Sequence, residues 1–460
     1  MNKKKYVNRN YLTTTRIIAL GFLITVIVGT ILLSLPIASA NGTWTDLLTA
    51  AFTSTTSVCV TGLVVVDTFS YWSLFGKGVI LILIQIGGLG IVSIITLFML
   101  LFRMKITLKS TMLLQDAFNL NSKQGLLKFT IKVIKGTFLI EGIGAFIYSF
   151  YYCREYGLLK GIWFSVFHAV SAFCNAGLDI MGADSLIPYH SNLLMMLNTS
   201  FLIIMGGIGF IVWWDTVAAF RRIRTKKCSI RSAWNGVHLQ TKIAIFMTLL
   251  LLIGGTVVIY FLERSNPDTL GNLSEKDRIL NAFFQSVTLR TAGFAAVPQA
   301  ALRPVTAFFG ALLMMIGGSP VGTAGGMKTV TIAVIFFTFA AMIRNHEDTE
   351  VFKRNIPVSV VKKAVAIVFL SMSTIFIMTI LLMATNDVNL LDALFEVASA
   401  VCTVGLSRNL TPVLNTAGQI IIMICMYIGR VGPISMVVAF NTQNGNHRLL
   451  HYPEEDVIVG

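Results

Sequence analysis

Charged residues are scarce in this chain. Asp, Glu, Lys and Arg make up 12% of its 460 residues, whereas soluble domains carry about 25%. Proline is also rare at 10 residues, and the 37 glycines follow no Gly-X-Y period, which excludes a collagen-like fibre. The six cysteines show no zinc-ligand spacing, and a disulfide framework is not favoured. These shortages argue against a water-soluble enzyme of this length.

Apolar residues dominate instead. They make up 55% of the chain, 32 of them are Phe, and the mean hydropathy is +0.77. Such a composition also excludes a disordered chain. Several stretches exceed the roughly 18 apolar residues that indicate a membrane-spanning helix. The sequence therefore predicts an integral membrane protein.

The net charge of +15 is unevenly distributed. Of the 36 Lys and Arg residues, 25 fall in alternate connections between apolar runs, namely 1–16, 103–135, 221–242, 344–363 and the C-terminal tail. This is the positive-inside pattern, and it predicts a multi-pass protein of the cell membrane with both termini in the cytoplasm. A nucleic-acid-binding face is not needed to explain the charge, and no nucleic-acid partner is expected.

The chain contains an internal fourfold repeat. Four short segments align on Gly62, Gly177, Gly293 and Gly405, which are 115, 116 and 112 residues apart. The aligned segments are Val58-Cys59-Val60-Thr61-Gly62, Phe173-Cys174-Asn175-Ala176-Gly177, Leu289-Arg290-Thr291-Ala292-Gly293 and Val401-Cys402-Thr403-Val404-Gly405. Spacing this even is the mark of repeated structural units.

The surroundings of each segment repeat as well. A full apolar span comes first, over 17–39, 129–152, 241–262 and 360–384. A stretch of 10–14 residues follows, over 44–57, 161–172, 279–288 and 391–400. It is too short to cross the bilayer. A second span follows the glycine, over 74–102, 191–220, 305–343 and 413–440. Each unit therefore predicts a spanning helix, a half-helix, an extended loop and another spanning helix.

An extended loop at membrane depth has a physical cost. Peptide N–H and C=O groups without water cost several kcal/mol each, so such loops occur only where protein or a water-filled cavity surrounds them. Four loops around one axis would present rings of carbonyl oxygens that replace the hydration shell of an alkali cation. The predicted selectivity filter comprises the four aligned segments, with K⁺ held by backbone carbonyls near the four glycines. Four re-entrant loops that act as structural plugs are the alternative.

A second glycine cluster lies inside each second span. The clusters include Gly87-Gly88 and Gly206-Gly207, which we interpret as close helix packing. The second span of repeat 3, residues 305–343, would measure roughly 58 Å as one helix. This is nearly twice the thickness of the hydrocarbon layer. The middle of this span is rich in helix-breaking residues and predicts an intramembrane gate loop, with a packed kink as the alternative. The predicted gate residues are Gly317, Gly318, Ser319, Pro320, Val321, Gly322, Thr323, Ala324, Gly325, Gly326, Met327 and Lys328, together with Arg430 of the fourth cluster.

Charges inside spans are costly and often functional. Arg430 is predicted to hydrogen-bond carbonyls of the gate loop and to oppose cations until the gate moves. Lys328 is either part of the gate or an anchor at the membrane surface. Arg290 is predicted to brace the third loop against a carboxylate, with Glu396 as a candidate. Glu141 is interpreted as a buried structural pair, with a functional site as the alternative.

These features resemble the Trk/Ktr/HKT superfamily of cation transporters, and within it the membrane subunits of bacterial Ktr potassium uptake systems. The resemblance covers about 11–460 and includes the four loops, the interrupted third repeat and the basic residue at 430. In this family the glycine of the first loop helps to set ion preference, and sodium-selective plant relatives have Ser there. Gly62 and its three counterparts therefore imply potassium.

The resemblance also implies a fold and partners. The expected fold is an all-α integral membrane protein of four M1–P-loop–M2 units around one central pore, with eight spanning helices and four re-entrant half-helices. The expected partners are the lipid bilayer, a second copy of the chain in a homodimer, and a cytosolic ring of RCK/KTN-type regulatory subunits that bind ATP or ADP. No cofactor is expected in the chain itself, apart from permeant K⁺ and Na⁺ as a possible activator.

The predicted organisation follows from the repeat. It comprises a cytoplasmic tail (1–16), repeat 1 (17–102), a linker (103–127), repeat 2 (128–220), a linker (221–239), repeat 3 with the gate loop 317–328 (240–343), a linker (344–358), repeat 4 (359–440) and a C-terminal tail (441–460). The basic linkers are candidate docking faces, and the acidic then apolar end 453–460 suits a subunit contact.

Other functions remain open at this point. The chain could be the potassium-translocating subunit of a Kdp-type ATPase, which shares the four-loop plan, or a transporter permeable to both sodium and potassium. A membrane enzyme would have to use Cys59, Cys174, Cys402 or His168, which show no triad spacing. We expect a transporter and not an enzyme. The acids Asp67, Asp179 and Asp184 could concentrate cations at the pore mouth, or simply lie in solvated loops.

Overall fold

The computed structural model describes residues 14–90, 93, 94, 96, 126–182, 184–226 and 229–432. Most of the predicted N-terminal tail, nearly all of the linker 103–127 and the whole C-terminal tail lie outside the described residues. The described part is almost entirely helical, with short connections. Its helices are, in chain order, α1 (Thr14–Ser34), α2 (Leu47–Cys59), α3 (Thr68–Tyr71), α4 (Leu74–Leu89), α5 (Leu126–Tyr156), α6 (Leu158–Cys174), α7 (Leu193–Gly207), α8 (Phe210–Lys226), α9 (Ile230–Asn235), α10 (Leu239–Glu263), α11 (Glu275–Thr288), α12 (Pro304–Met315), α13 (Thr329–Ile343), α14 (Val358–Thr385), α15 (Leu390–Val401) and α16 (Thr416–Val431).

Four short 3₁₀ turns and one hairpin complete the described elements. The 3₁₀ turns are Pro36–Ala38, Ile187–Tyr189, Gln299–Ala301 and Thr411–Val413. The strands β1 (Glu350–Val351) and β2 (Arg354–Asn355) pair antiparallel within the connection from α13 to α14. The predicted all-α fold is confirmed.

The first helix of every repeat is long and apolar. Helices α1, α5, α10 and α14 coincide with the predicted first spans, and by length and composition each is able to cross a membrane. Their outward faces carry large apolar side chains, such as Phe146 at 64% exposure and Phe369 at 70%. Apolar surface of this extent faces lipid in a membrane protein and would be unstable in water.

The half-helices are buried inside this outer layer. Helices α2, α6, α11 and α15 contain 13, 17, 14 and 12 residues, fewer than the roughly 20 that a span requires. Three of them begin at a side-chain cap, formed by Asp46, Ser274 and Asn389. Such caps satisfy amide groups that the first helical turn leaves unpaired. The half-helices therefore begin at defined positions, and they end at the repeated glycine segments.

In every second span a helix ends near the glycine cluster. Helix α4 ends before Gly90, and α16 ends before Gly432, each glycine having a positive φ. The third second span is divided into α12 and α13 by residues 316–328, as the composition predicted. The eight-span count stays a prediction, because residues 97–125 and 433–440, which include the ends of two of these spans, lie outside the described residues.

The predicted span over 191–220 is not a single straight helix. This segment forms α7 and α8, which meet at an angle of 97°. Gly209, between them, has a φ of +95°, a conformation that glycine adopts without a steric penalty. If α7 and α8 count as one broken span, the described residues contain five helical segments able to cross a membrane by length and composition.

The interior consists of two large apolar clusters. One joins buried side chains of repeats 1 and 2, including Trp72, Tyr148 and Phe173. The other joins repeats 3 and 4, including Phe395 and Met426, and it also takes in Phe52 of repeat 1. Half-helices α2 and α11 contribute side chains to both clusters, whereas α6 contributes to the first and α15 to the second.

Candidate ion pathway and gate

The four glycines form a closed ring. At each of them a Cβ atom would lie closer than 3.0 Å to a backbone carbonyl oxygen of the following repeat. The carbonyls are those of Ala176 beside Gly62, Ala292 beside Gly177, Val404 beside Gly293 and Thr61 beside Gly405. The order of contacts is repeat 1 to 2 to 3 to 4 and back to 1. Any side chain at these positions would collide with a neighbouring loop, which explains why all four are glycine.

The backbone before each glycine is also unusual. The residue two positions earlier has a positive φ in every repeat, namely Val60 (56°), Asn175 (59°), Thr291 (70°) and Thr403 (51°). Three of these residues are β-branched, for which this conformation is strained by roughly 1–3 kcal/mol each. Since the glycines also have positive φ, each loop alternates between two backbone conformations. Strain of this kind persists only where the surrounding structure enforces it.

Hydroxyl side chains of the half-helices enforce the loop shape. The Gly62 amide donates to Thr56 Oγ1 and the Gly405 amide donates to Ser399 Oγ, both at 3.0 Å. In the other repeats, Ser171 Oγ donates to the Leu178 carbonyl and Thr288 Oγ1 donates to the Phe294 carbonyl. The sequence analysis missed these four residues. The signal was present as a Ser or Thr five or six positions before each glycine.

The predicted filter residues divide into two groups. Those nearest each glycine form the ring, whereas Val58, Phe173 and Val401 still belong to the half-helices. The carbonyl oxygens of these three residues lie against Gly87, Gly206 and Gly429 of the second helices, where a Cβ would collide with them. The interpretation of Gly87 and Gly206 as packing glycines is therefore supported, and the same clusters also end their helices.

The predicted gate loop leaves and re-enters the helical layer at one point. Ile316 and Met327 form a parallel bridge, and the Gly317 amide donates to the Met327 carbonyl at 2.9 Å. The Met327 amide donates to the Met315 carbonyl at 3.2 Å. Residues 318–326 therefore project as a closed loop from a backbone-paired base.

The loop contacts two of the four filter segments. Thr323 Oγ1 donates to the Phe173 carbonyl at 3.1 Å and approaches Asn175 Oδ1 at 3.3 Å, both in repeat 2. Gly325 lies against Thr403 of repeat 4 so closely that a Cβ would strike its hydroxyl. Repeats 2 and 4 are opposite each other in the ring. The loop therefore extends from one side of the ring to the other.

The same loop is hydrogen-bonded to the break between α7 and α8. Three backbone bonds join them, from the Ser319 amide to the Gly207 carbonyl (2.8 Å), from the Thr323 amide to the Gly206 carbonyl (3.1 Å) and from the Phe210 amide to the Val321 carbonyl (2.8 Å). Groups that a continuous helix would pair internally are satisfied here by the loop. The bend in repeat 2 and the loop of repeat 3 thus form one unit.

Two cations act on this loop. Arg430 of α16 donates to the Thr323 carbonyl at 2.6 Å and also to the carbonyl of Gly87 at the end of α4. Lys328 Nζ donates to the Ala324 carbonyl at 2.6 Å within the loop. The ammonium group of Lys328 therefore faces the loop, which favours the gate interpretation over a surface anchor.

The predicted pair between Arg290 and Glu396 was wrong. Glu396 is fully buried and accepts hydrogen bonds from Ser407 and Thr411 in the connection after its own filter loop. Arg290 Nε is buried without a partner, and within the described part of the chain Arg290 forms no ion pair. Two hydroxyl donors thus satisfy the carboxylate without a cation.

Glu141 is not paired with a cation either. Its carboxylate accepts from Gln85 Nε2 at 3.2 Å and lies 3.8 Å from the thiol of Cys174. It thereby links α5 to α4 and to the end of the half-helix α6. This geometry supports the structural interpretation of Glu141, with a polar partner in place of a charged one.

The residues considered for an enzyme are not assembled into a site. Cys59, Cys174 and Cys402 are buried at the ends of three different half-helices. His168 lies between aromatic rings, with Tyr148 and Phe294 each 4.9 Å away by ring centroids. Neither ring nitrogen of His168 has a hydrogen-bond partner among the described residues, so His168 is not paired with any of the three thiols.

The acids after the filter loops have local roles. Asp67 caps α3 by accepting from the amides of Phe69 and Ser70. Asp179 accepts from Ser185 Oγ at 2.5 Å, and burial raises the pKa of its carboxyl to about 6. These bonds stabilise the connections beside the ring. That these acids attract cations to the pore mouth stays a prediction.

We expect Gly62→Ser to reduce the preference for potassium over sodium by about tenfold, which corresponds to roughly 1.4 kcal/mol. The reason is that the new side chain would push against the Ala176 carbonyl and distort the ring. The measurement is the ratio of potassium to sodium flux in liposomes. Gly78→Ser is the matched control, because a Cβ there meets nothing within 4 Å. An unchanged flux ratio in Gly62→Ser would count against the filter assignment.

The chain is similar to known cation transport proteins. The family described as TrkH, cation transport protein, matches residues 3–450. The potassium/sodium uptake protein NtpJ of Enterococcus hirae is 37% identical to the chain over 98% of both proteins. Ktr system potassium uptake protein B of Bacillus subtilis is also 37% identical, over 100% of both.

A solved structure shares the fold. The potassium transporter TrkH from Vibrio parahaemolyticus superposes with a TM-score of 0.73 over 96% of this chain and 87% of that one, at 15% sequence identity. Identity this low supports the fold alone. The family match and the full-length relatives show the family of the chain. The chain belongs to the TrkH family of cation transport proteins, and it is a multi-pass membrane transporter, not an enzyme.

Proposed function

We propose that this protein takes up potassium through a selectivity filter built from backbone carbonyls of its four glycine segments. The observation that carries the proposal is the closed ring, in which each glycine lies against a carbonyl of the next repeat. A ring of peptide oxygens at the end of four half-helices replaces the water around a dehydrated alkali cation. The alternating backbone conformations of each loop suit this role, because they turn successive carbonyls towards one side.

The choice of potassium has two supports. All four ring positions are glycine, so no hydroxyl or larger side chain narrows the ring. Several relatives, including the Bacillus subtilis protein, are potassium uptake proteins by name. Membership of the TrkH family favours this function over that of a Kdp-type ATPase subunit.

We further propose that residues 317–328 act as the gate. The loop connects filter segments on opposite sides of the ring, so it obstructs the path of the ion. Arg430 holds it closed through the Thr323 carbonyl and adds a positive charge to the barrier. Opening would require the loop to leave both the ring and the break between α7 and α8.

A cytosolic regulator would act on this gate. The relatives of the Ktr system imply more than one component, and we propose an RCK/KTN-type ring that binds ATP or ADP, beneath a homodimer of this chain in the cell membrane. If both termini are cytoplasmic, as we propose, α8 and α9 would face the regulatory RCK/KTN-type ring. They expose Arg221, Arg222, Arg224 and Arg231, and α8 begins at the residue that bonds the gate loop. We propose this basic surface as the docking face for the regulator.

Transport of both sodium and potassium is the second candidate. The Enterococcus hirae relative is a potassium/sodium uptake protein by name, and it is as similar to the chain as the Bacillus subtilis relative. In this alternative sodium would be a permeant ion, whereas in the first it would serve at most as an activator.

Cation uptake into vesicles distinguishes these functions. We expect the purified protein in liposomes to take up potassium or radioactive rubidium without an imposed sodium gradient, and to exclude sodium. Comparable uptake of sodium would favour the second candidate. Absence of any cation uptake by the folded protein, with and without the cytosolic partner, would refute both.

Arg430→Gln should raise basal potassium flux by roughly tenfold, because charge-assisted hydrogen bonds contribute about 1.5–3 kcal/mol each to the closed arrangement. The flux is measured in liposomes without the cytosolic partner. Lys160→Gln is the control. It removes an exposed positive charge from α6, outside the gate loop, and should leave the flux unchanged. A basal flux in Arg430→Gln equal to that of the unmodified chain would remove Arg430 from the gate.

Deletion of 318–326 should raise flux and weaken its dependence on the cytosolic partner. A short Gly/Ser linker must replace the deleted residues, because Ile316 and Met327 pair in parallel and cannot be joined directly without losing that pairing. Thr323→Val, which keeps the side-chain shape but removes the bonds to Phe173 and Asn175, should change flux in the same direction by less. Loss of flux in a deletion variant that remains monodisperse would identify the loop as scaffold.

A further inference from the structure

A small cavity lies behind the third filter segment. It has room for about one water molecule, at about 10 Å³. Its lining is mostly apolar but includes Arg290 and Thr248, as well as Gly318 of the gate loop and Gly207 at the end of α7. The cavity is therefore placed where the filter, the gate loop and the bend of repeat 2 meet.

Among the described residues, Arg290 Nε and the Thr248 hydroxyl in this cavity have no hydrogen-bond partner. Arg290 is 7% exposed and its Nε has no hydrogen-bond acceptor, and Thr248 is 4% exposed with an unpartnered hydroxyl. In native proteins nearly all buried polar groups are hydrogen-bonded. Two orphaned donors that line one cavity indicate that something accepts hydrogen bonds between them.

The charge of Arg290 narrows the choice of ligand. A guanidinium does not lose its proton in proteins, so titration cannot relieve its burial. Burying a charge without a counter-charge costs several kcal/mol, and within the described residues no carboxylate lies within 4.0 Å of Arg290. A water molecule would accept the hydrogen bonds but leave the charge uncompensated. An anion meets both requirements.

We propose that this cavity binds a small monovalent anion of halide size, held by Arg290 Nε–H and the Thr248 hydroxyl. The bound anion neutralises the guanidinium beside the third filter segment and so reduces its repulsion of cations in the ring. It also adds an acceptor at the junction of Gly318 and Gly207. A cavity of about 10 Å³ excludes large organic anions. The proposal relies on the proposed function only for its flux measurement.

Bromide provides a direct test of binding. In crystals of the full-length protein whose chloride is replaced by bromide, we expect an anomalous-scattering peak within hydrogen-bonding distance of Arg290 Nε and Thr248 Oγ1. The peak should be lost in Arg290→Met. A fully exchanged crystal with no anomalous peak there, or with an ordinary water at that position, would overturn the proposal whether or not the protein transports potassium.

Ion exchange provides the second test. Radioactive rubidium exchange between identical solutions on both sides of liposomes should be faster in chloride or bromide than in gluconate. Arg290→Met should abolish this difference. Thr248→Val preserves the side-chain shape and should raise the bromide concentration for half-maximal exchange about tenfold, the effect of one hydrogen bond to a charged group.

A surface arginine supplies the matched control. Arg264→Met removes an exposed guanidinium at the end of α10, and it should keep the full dependence on halide. Equal exchange rates in chloride and gluconate for the unmodified protein would contradict the proposal. So would a halide dependence that persists unchanged in both Arg290→Met and Thr248→Val.

Discussion

The structure depends on one constraint, that peptide groups removed from water must find partners within the protein. Four half-helices end inside a membrane protein, and the segments after them cannot pair within a helix. The glycine ring resolves this problem by bringing each loop against the next, while hydroxyl groups such as Thr56 and Ser399 satisfy loop amides. Under the proposed function, loop carbonyls directed to the axis of the ring would bind the cation. The same constraint that stabilises the centre would then also supply the ion ligands.

The gate loop obeys this constraint by borrowing partners from another repeat. The helix of repeat 2 stops at Gly207, and the amides and carbonyls freed by the break are paired with residues 319–323. Neither element has its full set of hydrogen bonds without the other. A movement of α8 would thus be transmitted to the loop through backbone bonds and not only through side-chain packing. Arg430 adds a link from the loop to α4, so repeats 1, 2 and 4 all hold the loop of repeat 3 in place.

Buried charges are treated in different ways in this protein. Arg430 is surrounded by backbone carbonyls, which accept its hydrogen bonds without cancelling its charge, and this suits a barrier to cations. Glu396 and Glu141 are satisfied by hydroxyl, amide and thiol groups. Arg290 alone among these four has an orphaned donor. That contrast is the reason for assigning it an external anion.

The sequence alone determined the repeat, the short half-helices and the interruption of the third second span, because these features depend on spacing, length and glycine content. It also identified Arg430, since a charge in an apolar run stands out. Contacts between distant segments could not be predicted from the sequence pattern, and only the tertiary structure decided them. The bend at Gly209 is stabilised by the gate loop, which forms hydrogen bonds with the backbone groups of Gly206, Gly207 and Phe210. These groups would otherwise be left unpaired by the break in the helix. Whether Arg290 and Glu396 form a pair depends on which side chains of distant segments face each other. Opposite charges in the sequence do not establish that contact.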